Sequence, residues 1–230
     1  LSRRQRQMCI RDRTCSWAAN AVDFMNEYGL VKGTGTSTFG WKGSMTRGDF
    51  VLILYRNAGS PSVYGVSNPF TDVKSTDYYY EAVLWAYRNN VVNGTSTTTF
   101  GPKGKITREQ IAATLYRMAG SPSASGYLTG YYDYAKIHSY ATNAMRWAIS
   151  NGVITGSNGY LTPTNNATRA QVAVILYRFC EEVLGGIETE GEFTVTFKYN
   201  YGSKGTYETV KVDAGETVER PKNPTRSGYD

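Results

Sequence analysis

The sequence repeats itself with a period of 61 residues, and this periodicity limits the fold more than any other feature. Residues 21–62 align with residues 82–123 without a gap, and 21 of the 42 aligned pairs are identical. A third copy follows, one residue shorter in its loop, and includes the stretch AMRWAISNGVITGSNGYLTPTNNATRAQVAVILYR. Because self-similarity at such a period is the mark of a repeated structural unit, the chain is predicted to contain three copies of one helical module.

A threonine precedes an apolar helical pattern in every copy, and an acidic or amide residue follows it three positions later. The pairs are Thr46 with Asp49, Thr107 with Gln110, and Thr168 with Gln171. This spacing is that of a helix capping box, and Gly59 and Gly120 stand where C-terminal caps belong. Each pair is therefore predicted to begin a helix, so the Arg-Gly-Asp tripeptide at residues 47–49 is predicted to be a first helical turn rather than an adhesive loop tip.

An arginine follows the threonine in every copy, at Arg47, Arg108 and Arg169. A cation in the first turn opposes the helix macrodipole, typically by ~0.3–1 kcal/mol, and no capping role requires it. Two interpretations remain open. The guanidinium and the unpaired N–H groups of the helix start could hold an anion, or the arginine could pair with a carboxylate of the adjacent repeat.

A second, shorter helix is predicted in the first half of each repeat. Its N-cap candidates are Ser16, Asp77 and Ser139, and in the second copy its apolar face is formed by Tyr78, Ala82, Trp85 and Ala86. Packing in the core explains these aromatic residues better than sugar stacking. The helix leads into a loop that opens at Gly33, Gly94 or Gly156, which we interpret as turn residues with positive φ, close approach of a ligand being the alternative.

An aspartate lies upstream of that helix in two copies, within PFTDV and GYYDY. Asp72 and Asp133 are predicted either to cap a loop by hydrogen bonding or to contribute to a groove. The first copy lacks this segment, since MCIRD stands in its place. Residues 1–13 resemble the peptides that translated sequencing adapters leave, and we expect them to be non-native. Repeat 1 is assigned to residues 14–62, repeat 2 to 63–123 and repeat 3 to 124–184.

The charge and cysteine content argue against several functions. The net charge is +6, but residues 1–13 carry five arginines and one aspartate, so the rest is nearly neutral and nucleic-acid binding is not predicted. Three scattered cysteines (Cys9, Cys15 and Cys180) predict neither a disulfide framework nor a metal site, and no cofactor is indicated. The single histidine, His138, is interpreted as an exposed loop residue. No apolar run reaches the 18 or so residues of a membrane span.

Catalysis is also not predicted. A glycosidase reading would pair Asp72 with Asp133, or Asp49 with a neighbouring carboxylate, but hydrolysis needs one asymmetric pair of carboxyl groups rather than three similar sites. No secretory leader is visible at the N-terminus, so we expect either a cytoplasmic protein or a missing start.

Three copies of about 60 residues, each with a W-A helix, a loop ending in Phe or Leu and a T-R helix start, resemble the S-layer homology domain. The resemblance covers about residues 14–184. It implies a mainly α fold, a pseudo-threefold spindle of three repeats whose helices after the Thr-Arg motif form a central three-helix bundle. The family usually has Glu where this chain has Asp49, Gln110 and Gln171.

The resemblance also implies a function and a location. It implies noncovalent binding to secondary cell-wall polysaccharide, typically through the carboxylate of a pyruvylated sugar that the motif's arginine reads. The residues carried over are the three arginines with the threonines and the acidic or amide residues of the capping boxes. The implied location is extracellular, in the cell wall or S-layer, with neighbouring S-layer proteins as further partners. The alternatives are a structural or adhesive repeat without glycan, or the anchor of a surface glycoside hydrolase.

The composition changes after residue 184. Following a linker at residues 185–191, apolar and polar residues alternate from Phe193 to Tyr201, GSKG supplies a turn at 202–205, and YETVKV reads as a returning strand at 207–212. The segment 192–230 resembles the Listeria/Bacteroides-type surface repeat, a small β-grasp-like unit. We expect a β-rich C-terminal module that is truncated in this chain.

Overall fold

The computed structural model describes residues 16–27, 29–31, 33–35, 38–184, 193–198 and 206–212. Two compact units are separated after Leu184. The expectations for residues 1–13, for the opening segment of repeat 1 and for the turn at 202–205 lie outside the described residues. The loop glycines Gly33, Gly94 and Gly156 and the three Thr-Arg pairs lie within them.

The first unit is mainly helical. Its α-helices are α1 (Ala19–Glu27), α2 (Arg47–Asn57), α3 (Tyr80–Arg88), α4 (Arg108–Met118), α5 (Thr142–Ser150) and α6 (Arg169–Val183). Short 3-10 turns lie at Ser16–Ala18, Tyr134–Lys136 and Ser139–Ala141. Each repeat thus contributes a short helix followed by a longer one, as the sequence predicts.

The longer helices begin at the predicted capping boxes. Thr46, Thr107 and Thr168 are the N-caps of α2, α4 and α6, and each box has both of its reciprocal hydrogen bonds. The caps satisfy one N–H of the first turn through the threonine hydroxyl. Gly59 and Gly120 follow the C-caps of α2 and α4 with φ of 80° and 81°, the left-handed conformation that glycine adopts without strain. The Arg-Gly-Asp tripeptide is the first turn of α2, so this prediction is confirmed.

The N-caps predicted for the shorter helices are wrong. α3 and α5 have Tyr79 and Ala141 as N-caps, neither of which makes a side-chain capping bond. Ser139 and Ser16 instead open 3-10 turns that lead into α5 and α1. The Asp77 carboxylate accepts from the backbone N–H of Lys74 at 2.8 Å and therefore closes the preceding turn. The shorter helices are therefore preceded by tight turns. Backbone hydrogen bonds within these turns pair the first N–H groups without a side-chain cap.

The apolar core runs through all three repeats. Phe50 and Leu54 of α2, Ile111 and Leu115 of α4, and Val172 and Leu176 of α6 are buried, as are the loop residues Phe39, Phe100 and Leu161. Ala82 and Ala86 of α3 are also buried, and Trp85 packs against the core. Tyr78 differs from the prediction, because it is exposed and the buried ring is that of its neighbour Tyr79.

Helices of consecutive repeats pack in pairs. α2 packs on α3, α4 on α5, and α6 of repeat 3 on α1 of repeat 1. Phe24 and Tyr177 meet edge to face in the last of these pairs, with ring centroids 5.1 Å apart. The longer helix of each repeat is thus covered by the shorter helix of the next repeat, and the third repeat is covered by the first.

A closed set of backbone hydrogen bonds joins the residues just before the Thr-Arg pairs. The Met45 carbonyl accepts from the Ile106 N–H at 3.0 Å, the Ile106 carbonyl from the Ala167 N–H at 2.9 Å, and the Ala167 carbonyl from the Met45 N–H at 3.4 Å. All three residues are buried. We call Met45, Ile106 and Ala167 the hydrogen-bond ring.

The second unit is described only at two strands, β1 (Phe193–Lys198) and β2 (Thr206–Val212). They pair antiparallel, with Phe193 opposite Val212 and a register irregularity between Phe197 and Lys198. The alternating pattern predicted both strands. Two paired strands alone do not establish the β-grasp-like repeat, so that assignment stays an expectation.

Candidate functional site

The backbone N–H groups at the start of each longer helix are occupied by the next repeat. In α2, the N–H of Arg47 donates to the Gly104 carbonyl and that of Gly48 to the Pro102 carbonyl, both at 2.9 Å. The same bonds recur at α4 and α6, as Arg108 to Asn165, Glu109 to Pro163, Arg169 to Gly43 and Ala170 to Trp41. The expectation of unpaired N–H groups for an anion is therefore wrong, because the loop carbonyls of the neighbouring repeat already satisfy them.

The arginine side chains donate hydrogen bonds to carbonyls of the same loops. Arg47 donates from Nε to the Phe100 carbonyl at 3.1 Å and from Nη2 to the Asn93 carbonyl at 3.2 Å. Arg108 repeats this arrangement with the carbonyls of Leu161 at 2.8 Å and Thr155 at 3.0 Å. Arg169 donates from Nε to the Phe39 carbonyl of repeat 1 at 2.9 Å. Each arginine thus clamps the loop of the following repeat.

The alternative of an ion pair with a neighbouring repeat is not realised at two of these positions. Within the part of the chain that the structure describes, neither Arg47 nor Arg108 has a carboxylate within ion-pair distance. Both bind backbone carbonyls instead, which carry only a partial negative charge. The Arg47 guanidinium also lies over the Phe100 ring, 4.7 Å from its centroid, and Arg169 lies 4.9 Å from that of Phe39.

Burial dominates the electrostatics of the three arginines. It lowers the pKa of Arg47, Arg108 and Arg169 below the ordinary value, because it removes water from the charged form. A nearby carboxylate raises each pKa, but by less than burial lowers it. This carboxylate is Asp72 for Arg47, Asp133 for Arg108 and Asp49 for Arg169. The guanidinium groups stay charged.

The upstream aspartates cap the loops that the arginines hold. Asp72 accepts from the N–H groups of Phe100 at 2.8 Å and Gly101 at 2.7 Å, one to each carboxylate oxygen. Asp133 accepts from those of Leu161 and Thr162, both at 2.8 Å. The loop-capping interpretation is confirmed. Because the carbonyls of Phe100 and Leu161 bind Arg47 and Arg108, one loop residue in each repeat joins an aspartate to an arginine.

The loop glycines are required for space and not for a left-handed backbone. Neither Gly94 nor Gly156 has a positive φ, so that prediction is wrong. A Cβ on Gly94 would overlap the Ser96 carbonyl oxygen and lie 2.8 Å from the Phe70 ring, and one on Gly156 would lie 2.5 Å from the Tyr131 ring. Gly33 is half-buried in the corresponding loop of repeat 1.

The capping-box residues are committed to the helix starts. Asp49 accepts from the Thr46 hydroxyl at 2.6 Å, and its other oxygen accepts from the Tyr78 hydroxyl at 2.6 Å. Gln110 and Gln171 accept from the N–H groups of Thr107 and Thr168 at 3.1 and 3.0 Å. These side chains therefore stabilise the region that holds the arginines.

A cluster at the boundary of repeats 2 and 3 was not found from the sequence. The Glu109 side chain is buried, with 3% of its surface exposed. Its Oε1 lies 2.6 Å from Nδ1 of His138 and accepts from the Tyr140 hydroxyl at 3.0 Å. Its Oε2 accepts from the backbone N–H of His138 at 3.1 Å. His138 is mostly exposed, as predicted, but its ring holds Glu109. No repeat signal reveals this cluster, because Gly48 and Ala170 occupy the positions that match Glu109.

A second arginine near the first was also missed. Arg178 of α6 donates from Nη1 to the Thr155 hydroxyl at 2.9 Å, beside the carbonyl that Arg108 binds. The sequence does carry a signal, since Leu-Tyr-Arg recurs with Arg56, Arg117 and Arg178 at the repeat spacing of 61 residues.

Among the described residues, no group of three or more His, Cys, Asp or Glu side chains is placed to hold a metal ion. The helices described here are too short or too polar to cross a lipid bilayer.

Comparison with protein families matches the S-layer homology domain three times, at residues 12–51, 69–112 and 130–173, together more than half of the chain. The chain is 29% identical over 211 residues to the surface-layer 125 kDa protein of Lysinibacillus sphaericus, covering 88% of this chain and 17% of that protein. It is 30% identical over 166 residues to an endoglucanase of Bacillus sp. (strain KSM-635), covering 70% and 17%. A middle cell wall protein of Brevibacillus brevis is 30% identical over 109 residues, covering 46% and 10%. The chain spans less than a fifth of each relative's length.

Proposed function

The chain belongs to the S-layer homology domain family, and on this premise we propose that it attaches a surface protein noncovalently to an anionic polysaccharide of the bacterial cell wall. The family match and the relatives named as surface-layer and cell-wall proteins support surface anchoring and a cell-surface or cell-wall location. The identity of the polysaccharide, its negative charge and the residues that bind it are part of the proposal, as are neighbouring S-layer proteins as further partners.

We infer that the three repeats form a pseudo-threefold spindle with α2, α4 and α6 in a central bundle. The hydrogen-bond ring supports this arrangement, because Met45, Ile106 and Ala167 each lie one residue before the N-cap of a longer helix and bind one another. The starts of the three helices are therefore close together. The arginine clamps agree with it, since each bridges consecutive repeats and the last bridges repeat 3 to repeat 1.

The glycan part of the proposal rests on the hydrogen bonds and the burial of the Arg47 and Arg108 guanidinium groups. Each guanidinium has five N–H donors and directs two of them to loop carbonyls. Each has lost hydration without gaining a carboxylate partner among the described residues. A carboxylate of the ligand would supply the missing negative charge and accept from the remaining Nη hydrogens.

The other predicted site residues have supporting places in this proposal. The threonines and the residues Asp49, Gln110 and Gln171 build the helix starts and are proposed to meet the ligand at the margin of each site. Asp72 and Asp133 fix the loop backbone, and Gly94 and Gly156 permit its tight path. We assign no catalytic residue, cofactor or metal ion to the module.

The relatives that share this module include both a hydrolytic enzyme and a structural protein. An endoglucanase and a surface-layer protein share comparable similarity to this chain, over a small part of each relative. We infer that the shared part is the anchor and that catalysis is not its task. A purely structural role, with the arginines acting only as loop clamps, is the competing function, and the clamps themselves favour it.

Sedimentation with purified cell walls tests the proposal. The protein is mixed with walls that retain their secondary polymer and with walls from which acid has removed it. We expect binding only to the first. Arg108→Gln should weaken binding roughly 10- to 150-fold, the equivalent of ~1.5–3 kcal/mol for a hydrogen bond to a charged group. Arg88→Gln, which removes an exposed arginine from the last turn of α3, is the matched control.

Unfolding is monitored in parallel, because Arg108 is also a clamp. Equal binding to both wall preparations, or full binding by a folded Arg108→Gln protein, would contradict the proposal. The double variant with Arg47→Gln should lose more binding free energy than the two single variants combined, since linked sites on one polymer bind with avidity. Additive losses would rule out multivalent attachment.

A further inference from the structure

We propose that Arg178 is a second ligand-binding residue at the site of Arg108, and that the two guanidinium groups bind one carboxylate of the wall polysaccharide between them. This inference rests on the proposed function and specifies the chemistry of one site.

The two arginines reach the same loop residue from different helices. Nη2 of Arg108, at the start of α4, donates to the Thr155 carbonyl at 3.0 Å. Nη1 of Arg178, in α6, donates to the Thr155 hydroxyl at 2.9 Å. Hydrogen bonds to the two oxygens of one residue hold both guanidinium groups at the same place on the loop.

Within the part of the chain that the structure describes, neither Arg108 nor Arg178 forms an ion pair with a carboxylate. After burial, the charge of Arg178 is the next largest influence that lowers the pKa of Arg108, so the two cations are close enough to repel. Asp133 acts in the opposite direction, but its two oxygens already accept from the N–H groups of Leu161 and Thr162. The loop therefore places two like charges together without a carboxylate bonded to either.

The helix dipole does not account for Arg178. Arg117 lies in the last turn of α4 and Arg56 in that of α2, where a cation interacts favourably with the helix dipole. α6 continues to Val183, so Arg178 lies before its last turn and has no such benefit. Its direct bond to the Thr155 hydroxyl is the contact that the structure gives it instead.

The boundary of repeats 1 and 2 shows a related arrangement. The charge of Arg117 lowers the pKa of Arg47, although less than burial does. Burial also lowers the pKa of Arg117 itself. Arg117 and Arg178 are one repeat apart, as are Arg47 and Arg108, so the same two helix positions influence each other electrostatically at both boundaries.

The chemistry of the pair favours a planar anion. A guanidinium presents two parallel N–H groups to two oxygens of a carboxylate or phosphate, and two guanidinium groups can share the oxygens of one anion. We commit to a carboxylate carried by a sugar. A phosphate on a sugar offers the same kind of oxygens, and the experiment separates the two sources.

The test measures dissociation constants by NMR titration with three probes: a pyruvylated monosaccharide, its methyl ester and a sugar phosphate. The proteins are the full chain, Arg178→Gln, Arg178→Lys, Arg108→Gln and the control Arg88→Gln. We expect Arg178→Gln to weaken binding of the pyruvylated sugar roughly tenfold and to leave the weak binding of the ester unchanged. Arg178→Lys should recover little, because a lysine cannot present two parallel donors.

The outcomes separate this inference from the function on which it rests. Normal binding by Arg178→Gln together with weak binding by Arg108→Gln overturns the role of Arg178 and leaves the anchoring proposal standing. Equal weakening for the acid and its ester shows that Arg178 acts only on structure and also overturns it. Tighter binding of the sugar phosphate overturns the choice of a carboxylate. If the full chain binds none of the probes and no wall polymer, the proposed function itself fails.

Discussion

At the scale of single residues, the arginine of the Thr-Arg pair has a structural task that its position alone does not reveal. Its Nε and Nη2 atoms bind two carbonyls of the next repeat's loop, and the aspartate upstream binds two N–H groups of the same loop. The unfavourable position at a helix start is offset by these bonds. Any role in ligand binding has to use the donors that the clamp leaves.

The first prediction concerns the crowded loop glycine. Gly94→Ala should lower the free energy of unfolding by about 1–3 kcal/mol, because the new methyl group would press on the Ser96 and Thr99 carbonyl oxygens and the Phe70 ring. Gly130→Ala is the matched control, since a Cβ there would meet nothing within 4 Å. Urea unfolding of both variants checks the difference, and equal stability of the two would contradict the steric role.

The second prediction concerns alkaline pH. Although the Tyr78 side chain is exposed overall, its partial burial and then its hydrogen bond to Asp49 raise the pKa of Tyr78 from its ordinary value of 10.0 to about 12. A raised pKa in the folded state means that the stabilisation is fully present below pH 10.0 and is lost as the pH rises through about 12. The stability difference between the native protein and Tyr78→Phe should therefore shrink over this interval.

Unfolding by urea at a series of pH values measures that difference. Tyr64→Phe serves as the control for removing a tyrosine hydroxyl, because Tyr64 is 96% exposed. A difference between the native protein and Tyr78→Phe that stays constant up to pH 12 would rule out the Tyr78–Asp49 bond as a source of stability.

At the scale of elements, the longer helices are specified locally and the shorter ones are not. Each longer helix has a threonine N-cap and a reciprocal bond from the third residue after it. The shorter helices α3 and α5 have N-caps without side-chain bonds and depend on preceding turns. We infer that packing against the longer helix of the previous repeat stabilises them, since isolated helices of this length are marginal in water.

The third prediction follows from the caps. Thr107→Ala should destabilise the protein by about 0.5–2 kcal/mol, because the Gln110 N–H loses the hydroxyl that accepts from it. Thr107→Ser should keep most of the stability, since serine caps equally well. Thr76→Ala, at an exposed loop position, is the control for loss of a threonine. Thermal and urea unfolding report the effect, and an alanine variant as stable as the serine variant would exclude the capping role.

At the scale of the whole molecule, the repeats depend on one another in a closed order. The first-turn N–H groups, the arginine side chain and the longer helix of each repeat all find their partners in the next repeat. Repeat 3 finds them in repeat 1. Such an arrangement leaves no repeat with a complete set of partners of its own.

The fourth prediction tests this dependence. A polypeptide of residues 63–184 should be much less stable than one of residues 16–184, because repeat 3 loses the carbonyls of Gly43, Trp41 and Phe39 together with the packing of α1 on α6. Buried N–H groups left without partners cost about 1–3 kcal/mol each. Hydrogen exchange should accelerate most at the amides of Arg169 and Ala170. Equal protection of these amides in both polypeptides would show that the repeats are independent.

The sequence by itself determined the number of repeats, the starts of α2, α4 and α6, and the left-handed glycines after α2 and α4. It singled out Asp72 and Asp133 without deciding between a loop cap and a groove. The capping boxes and the glycine caps depend on partners three or four residues away, so the identity and spacing of a few residues suffice to predict them. The repetition drew attention to the two aspartates, because Asp72 and Asp133 recur 61 residues apart, each upstream of a loop.

Only the tertiary structure decided where the arginines and the helix N–H groups find their partners. The Arg47 and Arg108 bonds span 46 to 53 residues along the chain and the bond of Arg169 to Phe39 spans 130. Crowding at Gly94 likewise comes partly from Phe70, and the meeting of Arg178 with Arg108 depends on Thr155 of a separate loop. Such contacts arise from the packing of consecutive repeats, and the local sequence around each residue is compatible with other partners.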